Sequence, residues 1–181
     1  GIAVKMITGD FPLTACSIAK SAGFKRHEKY LTGEQGHQMS EEELEAALEE
    51  CDVFARATPE TKLRLVEALK QKGEVVAMTG DGVNDAPALK AAHIGVAMGR
   101  HGTEVARQSA ALVLLEDDLG GMVEAVELGR RIYDNLKKAI RYIVSIHVPI
   151  ISVVLFPAVF GWDYVTLFTP VHVIFLELLM G

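Results

Sequence analysis

A chain of 181 residues that is 50% hydrophobic and 23% charged can bury one sizeable core, and its composition is neither disordered nor fibrous. Its formal net charge of -6 argues against a nucleic-acid partner held by a broad basic surface. The 2 cysteines, Cys16 and Cys51, are too few for a disulfide framework and form no CxxC pair, so they read as buried, reduced thiols.

The opening "GIAVKMITGD" carries no secretory leader. It lacks an initiator Met, and the chain ends on "ELLMG" inside an apolar segment, so the expectation is a piece of something longer. Ala3 to Thr8 reads as a buried strand and Thr14 to Ala22 as a helix after Pro12. Gly33 to Gln38 reads as loop. Ser40 with Glu43 forms a capping box for a helix running to about Glu50. Val53 to Ala55 is a short strand, and Pro59 starts a helix that ends near Gly73. Strand Val75 to Thr79, helix Pro87 to Ala92, strand Ile94 to Met98, helix Thr103 to Ser109 and strand Ala111 to Leu115 follow. Strands apolar on both faces, alternating with helices, predict an α/β fold with a doubly wound parallel sheet.

A long helix is expected from Gly120 through Lys138, toward a membrane. Arg130, Arg131, Lys137, Lys138 and Arg141 precede the apolar part, and basic residues just before a hydrophobic span mark its cytoplasmic side. From Ile143 to Met180 the only charged or imidazole side chains are His147, Asp163, His172 and Glu177. Ile140 to Phe160, about 21 residues at 1.5 Å each, suffices to cross a hydrocarbon layer roughly 30 Å thick. Pro149 and Pro157 lie inside it, and Gly161, Trp162 and Asp163 read as a turn with an interfacial aromatic. A second span starts between Val165 and Pro170 and runs to Gly181. The expected organisation is therefore a partial domain over 1–138, stalk helix included, and a transmembrane helical hairpin over 139–181.

Two turns stand out chemically: "MITGD" near the start and "MTGDGVND" at Met78 to Asp85. In a parallel sheet, ligands sit beyond the carboxyl ends of the strands, where turns lead into helix N-termini. Thr8 and Asp81 each occupy such a turn, and Gly80 and Gly82 permit backbone geometry that lets a ligand approach. Asp81, Asn84 and Asp85 offer hard oxygen atoms suited to Mg²⁺, and two crowded carboxylates would repel unless a cation or donor lay between them. Asp85 could instead cap the following helix, with Asp81 and Asn84 ordinary turn residues. Lys62, early in the helix after "ARATPE", could reach the same edge of the sheet and meet a phosphoryl oxygen.

The ordered strings "MITGD", "FARATPETK", "MTGDGVNDAPALKAAHIGVAMG" and "ALVLLEDDLGGMVEAVELGRRIYDNLKKAIRYIVS" span essentially the whole chain. They resemble the C-terminal half of the phosphorylation domain of P-type cation-transporting ATPases, in their calcium-pump-like branch, running into the next transmembrane pair. The resemblance implies a haloacid-dehalogenase-like fold, Mg²⁺ and ATP as cofactors, a cation as the transported substrate, and catalysis through an aspartyl-phosphate. It implies that Thr8 hydrogen-bonds the phosphoryl group, that Gly9 and Asp10 lie near the nucleotide, and that Lys62 neutralises phosphoryl charge. It also implies that Asp81 holds Mg²⁺, with Asn84 and Asp85 completing the metal and phosphate shell beside Gly80.

Such pumps carry their nucleophile in a DKTGT string, and no Asp here is followed by Lys-Thr-Gly. The resemblance places that missing strand in mid-sheet, between the strands bearing Thr8 and Asp81. Its absence should leave unpaired backbone and exposed apolar side chains, costing several kcal/mol or more. The expected partners are the missing parts of the same pump: the nucleophile strand, the nucleotide-binding domain and the other transmembrane helices. The expected location is integral to a membrane, the bacterial plasma membrane, with the soluble part cytoplasmic. Calcium pumps place Asn and Glu where this chain has His147 and Ile150, and Asn, Thr and Asp where it has Glu177, Met180 and Gly181, so the resemblance stops short of the ion ligands. His147 and Glu177 remain as ionisable groups for a cation or proton path. A membrane-tethered haloacid-dehalogenase-like phosphatase, or a non-catalytic regulatory piece, is the alternative reading.

Overall fold

The computed structural model describes residues 1–161 together with 169, 171, 172, 174, 175 and 178. Of the expected second span, only 169, 171, 172, 174, 175 and 178 are among the described residues; Trp162, Asp163 and Glu177 lie outside them. Gly1–Met122 form one compact unit and Val123–Gly181 a second.

The first unit contains β1 (Met6–Ile7), α1 (Pro12–Ser21), β2 (Tyr30–Thr32), α2 (Gly33–Gln38), α3 (Glu41–Glu50), β3 (Val53–Ala55) and α4 (Pro59–Gln71). It continues with β4 (Ala77–Gly80), a 3-10 turn (Val83–Asp85), α5 (Ala86–Ala91), β5 (Ile94–Met98), α6 (Glu104–Ser109) and β6 (Leu112–Leu114). The strands pair in parallel throughout, but as two three-stranded sheets, β1-β3-β2 and β4-β5-β6, where the sequence reading expected one. The middle strands are those whose sequence is apolar on both faces. Val53, Phe54 and Ala55 are all buried, as are Gly95, Val96 and Ala97, because a parallel strand flanked on both edges is also covered on both faces.

Helix α4 joins the two sheets. Thr58 caps it by accepting from the Thr61 N–H at 3.2 Å, Pro59 occupies its first turn, and adjacent residues face different cores. Leu65 packs with Phe54, Leu31, Leu44 and Leu48, whereas Val66 packs with Met78, Leu89, Ala97 and Ala106. Ile7 touches both clusters, so the unit is continuous beneath its two sheets.

Several elements differ from expectation. The first strand shrinks to two residues, with Ile2 and Val4 mostly exposed. Gly33 to Gln38 is a helix rather than a loop, closed by a reciprocal capping box between Thr32 and Gln35. The two thiols are free but only half-buried, not fully buried. Ser40 and Glu43 form the expected capping box, with the Ser40 N–H donating to Glu43 Oε2 at 2.8 Å.

Helix α7 (Leu119–Phe160) runs unbroken for 42 residues, about 63 Å at 1.5 Å per residue, with Pro149 and Pro157 inside it. It merges the expected stalk and first span. Its length and composition suffice to cross a membrane.

Candidate functional site at the carboxyl ends of the strands

The loop after β1 is fixed by its neighbour. The Thr8 N–H donates to the Phe54 carbonyl at 2.9 Å, which continues the pairing one residue beyond the strand. The Ala57 N–H then donates to the Thr8 carbonyl and the Arg56 N–H to the Asp10 carbonyl, each at 3.0 Å. The Thr8–Gly9–Asp10 turn is thereby bound to the segment that carries the chain from β3 into α4. Thr8 Oγ1 donates to Asp10 Oδ2 at 3.0 Å and accepts from the Asp10 N–H at 3.2 Å. Arg56 sits in the left-handed region at φ 52° and places its guanidinium 4.8 Å from the Phe11 ring centre.

From the first turns of α4, Lys62 reaches across to the second sheet. Its Nζ donates to Asp85 Oδ1 at 2.5 Å, with only 17% of the Lys62 side chain and 7% of the Asp85 side chain exposed. Asp85 does not spend its carboxylate on capping α5. Oδ2 instead accepts the backbone N–H of Asp81 at 3.3 Å and of Gly82 at 3.1 Å. This closes the turn after β4 around one buried carboxylate. A Cβ at position 80 would meet the Asp85 Cβ at 2.6 Å, so glycine is required there by close approach. The side chains of Asp81 and Asn84 are exposed, and neither makes a hydrogen bond or ion pair with a described residue.

A third loop follows β5. The Thr103 N–H donates to the Asp81 carbonyl at 2.7 Å. Asp117, just before α7 and at φ 56°, accepts from the N–H groups of Gly99 (2.6 Å), Arg100 (3.0 Å) and His101 (2.9 Å), and from His101 Nδ1 at 2.5 Å. Burial of the Asp117 carboxyl raises its pKa, but the hydrogen bonds from His101, Arg100 and Gly99 outweigh that and hold it at about 2. Burial likewise raises Asp52, and Arg26 and Lys5 more than reverse it. Both carboxyls have folded pKa values below the unfolded value of 3.8, so their contribution is complete above that pH and is lost as pH falls through the folded value. The first unit is therefore expected to lose stability steeply from about pH 4 toward about pH 2. Asp117→Asn should flatten that slope in an acid titration followed by circular dichroism.

Thr8, Gly9 and Asp10 follow β1, Lys62 stands in the first turn of the helix after β3, and Gly80, Asp81, Asn84 and Asp85 lie at and just beyond the end of β4; hydrogen bonds tie the first of these loops to Arg56 and Ala57, ahead of α4, and Lys62 of α4 to Asp85. His147 belongs to α7, in the second unit, where its Nδ1 donates to the Ile143 carbonyl at 2.8 Å. Glu177 lies outside the described residues. Sequence reasoning missed Thr103, Arg107 and Asp117, whose only sequence signal was the acidic pair ahead of the long helix.

The donor set fits half of a Mg²⁺ site. Mg²⁺ keeps several waters and takes one or two protein carboxylates plus substrate phosphate oxygens. Asp81 is an uncompensated, exposed carboxylate on a fixed turn, and Asn84 adds an amide oxygen. Asp85 is already neutralised by Lys62, and among the described residues no group of three or more His, Cys, Asp or Glu converges on a metal position. The remaining ligands would come from elsewhere.

A parallel α/β unit with an acidic turn after β4 is the fold of a hydrolase class, and the chain belongs to the haloacid dehalogenase-like hydrolase family, which matches residues 1–93 and, by a second family description, residues 61–126. Within it, the chain is homologous over nearly its full length to cation-transporting P-type ATPases. It is 46% identical over 179 residues to a calcium-transporting ATPase of Listeria monocytogenes, covering 98% of this chain and 20% of the relative. It is 52% identical over 149 residues to a cation-transporting ATPase of Synechocystis, covering 81% of this chain and 16% of that protein. Among solved structures, a zinc-transporting PIB-type ATPase in an E2.Pi state is similar with a TM-score of 0.57 and 34% identity, covering 87% of this chain and 21% of that one. The chain spans about a fifth of the length of the curated relatives it matches.

Proposed function

We propose that this chain supplies the phosphoryl- and Mg²⁺-binding loops, and the first part of an ion path, to an ATP-driven cation pump that works through an aspartyl-phosphate. The observation that carries the reading is the Lys62–Asp85 pair beside the exposed Asp81, on a helix entered from the segment that holds the Thr8 loop. Phosphoryl transfer asks a protein for positioning and charge neutralisation more than for covalent chemistry. Asp85 fixes the Lys62 ammonium, whose two remaining N–H groups can meet phosphoryl oxygens. Thr8 adds a hydroxyl, and Gly9 and Asp10 present backbone and carboxylate toward the nucleotide. Asp81, with Asn84, would hold Mg²⁺, which supplies charge neutralisation on the transferring group when bound.

The nucleophile belongs to a strand outside this chain. Within the described residues β1 pairs only with β3 and β4 only with β5, so each sheet has a free edge that one added strand could satisfy. Leu112, Val113 and Leu115 remain 49%, 37% and 75% exposed, as surface awaiting the parent's other segments would be. The soluble part would lie on the cytoplasmic side of a bacterial plasma membrane, with α7 leading into the bilayer and His147 and Glu177 as the ionisable groups for the ion path.

The full-length parent should form a Mg²⁺-dependent, hydroxylamine-sensitive phosphoenzyme from ATP labelled at the γ-phosphate, while the 181-residue chain alone should form none. A full-length parent that hydrolyses phosphate esters without that intermediate would refute the pump reading in favour of a phosphatase.

A further inference from the structure

We propose that Asp117 is a positioning residue for the metal-binding role of Asp81, acting through the loop Gly99 to Thr103. The inference rests on the assignment of Asp81 to Mg²⁺ made above.

The loop is held from three sides. Asp117 takes its consecutive N–H groups at Gly99, Arg100 and His101. Arg107 Nη1 donates to the Gly99 carbonyl at 2.8 Å and to the Gly102 carbonyl at 2.7 Å. At the far end the Thr103 N–H holds the Asp81 carbonyl, while Thr103 Oγ1 caps α6 by accepting from the Ala106 N–H at 3.3 Å. The loop folds so tightly that a Cβ at Gly102 would lie 1.9 Å from the Met98 carbonyl oxygen. Asp117 itself holds a left-handed backbone that non-glycine residues seldom adopt, and such geometry persists only where surrounding contacts over-determine it.

The placement of Asp117 gives these bonds a consequence. Leu119 begins α7 two residues later, and Asp118 Oδ1 accepts the Gly120 N–H at 2.8 Å in its first turn. The start of the helix that leads to the apolar segment is thereby fastened, through one carboxylate and one short loop, to the backbone of the residue assigned to the metal. A shift in that first turn would reach Asp81 as a change in its backbone anchor rather than through diffuse packing.

The test uses the full-length pump that contains this chain. Asp117→Asn tolerates the left-handed backbone but removes the charge, and Asp117→Gly keeps the backbone while removing all acceptors. Arg107→Gln loosens the same loop from its carbonyl side. Each should raise the Mg²⁺ concentration for half-maximal phosphoenzyme formation by about tenfold, the lower end of what losing an outer partner costs a metal site. The ATP concentration for half-maximal binding, measured without turnover, should stay put. Half-saturating Mg²⁺ within about twofold of the unsubstituted pump in Asp117→Asn and Arg107→Gln would overturn the proposal even if thermal stability fell. Failure of the unsubstituted pump to form any Mg²⁺-dependent phosphoenzyme would instead refute the functional reading beneath it.

Discussion

Lys62→Met is expected to destabilise the first unit by about 3–5 kcal/mol, because it removes one partner of a buried ion pair and leaves the Asp85 carboxylate uncompensated. Only 7% of that side chain is exposed, so water cannot replace the ammonium. The double variant Lys62→Met with Asp85→Asn separates stability from chemistry. Asparagine keeps a carbonyl oxygen for the N–H groups of Asp81 and Gly82, so the turn after β4 stays closed and no buried charge remains. The double variant should recover most of the lost stability in a denaturant titration. It should nevertheless remain about 10²–10³-fold slower in phosphoenzyme formation within the full-length pump, the scale for removing one preorganised electrostatic contact. Recovery of rate along with stability would mean that Lys62 serves the fold alone.

That experiment probes a feature half legible in the sequence. The spacing of Gly80, Asp81, Gly82, Asn84 and Asp85 identifies a turn with hard oxygen atoms, and Lys62 follows a strand and a proline-started helix. Which carboxylate meets the lysine depends on how α4 lies against the second sheet, and local sequence carries no record of that. The middle strands β3 and β5 were legible to the residue because both faces are apolar. β2 escaped notice since only Leu31 of its three residues is buried. Helix α2 read as a loop on account of Gly33 and Gly36. Tertiary contacts override that propensity: Gly36 is buried where an added Cβ would just touch Leu31 and Thr61, and the Arg64 guanidinium donates to the carbonyls of Gly36, His37 and Met39. The division into two sheets was not legible, since strand order is a non-local property. Asp117 was invisible for the same reason, its partners lying 16 to 18 residues earlier in the chain.

Phe54→Ala should be the costliest truncation in the core, at about 3–5 kcal/mol. Phe54 is the largest fully buried side chain, packed among Leu31, Leu44, Leu48, Leu65 and Ala68, a shell drawn from β2, α3 and α4 that cannot all collapse into the space left. Against a typical domain stability of about 5–15 kcal/mol, that loss populates unfolded chain measurably. The substitution also reaches the site by a short route. Phe54 lies opposite both Ile7 and Leu31 in the parallel ladder, and its carbonyl is the acceptor for the Thr8 N–H. A cavity there removes support directly beneath the Thr8–Gly9–Asp10 turn. Phe54→Leu refills most of the volume and should cost less than about 1.5 kcal/mol. The denaturation midpoint should therefore fall far more for alanine than for leucine. Proteolytic cleavage between Thr8 and Pro12 should accelerate in the same order, because among the described residues the backbone hydrogen bonds that fasten that turn run to β3 and the segment leaving it. Equal cleavage in both variants would show that the turn is anchored independently of the core below, and would sever the link from Phe54 to Thr8.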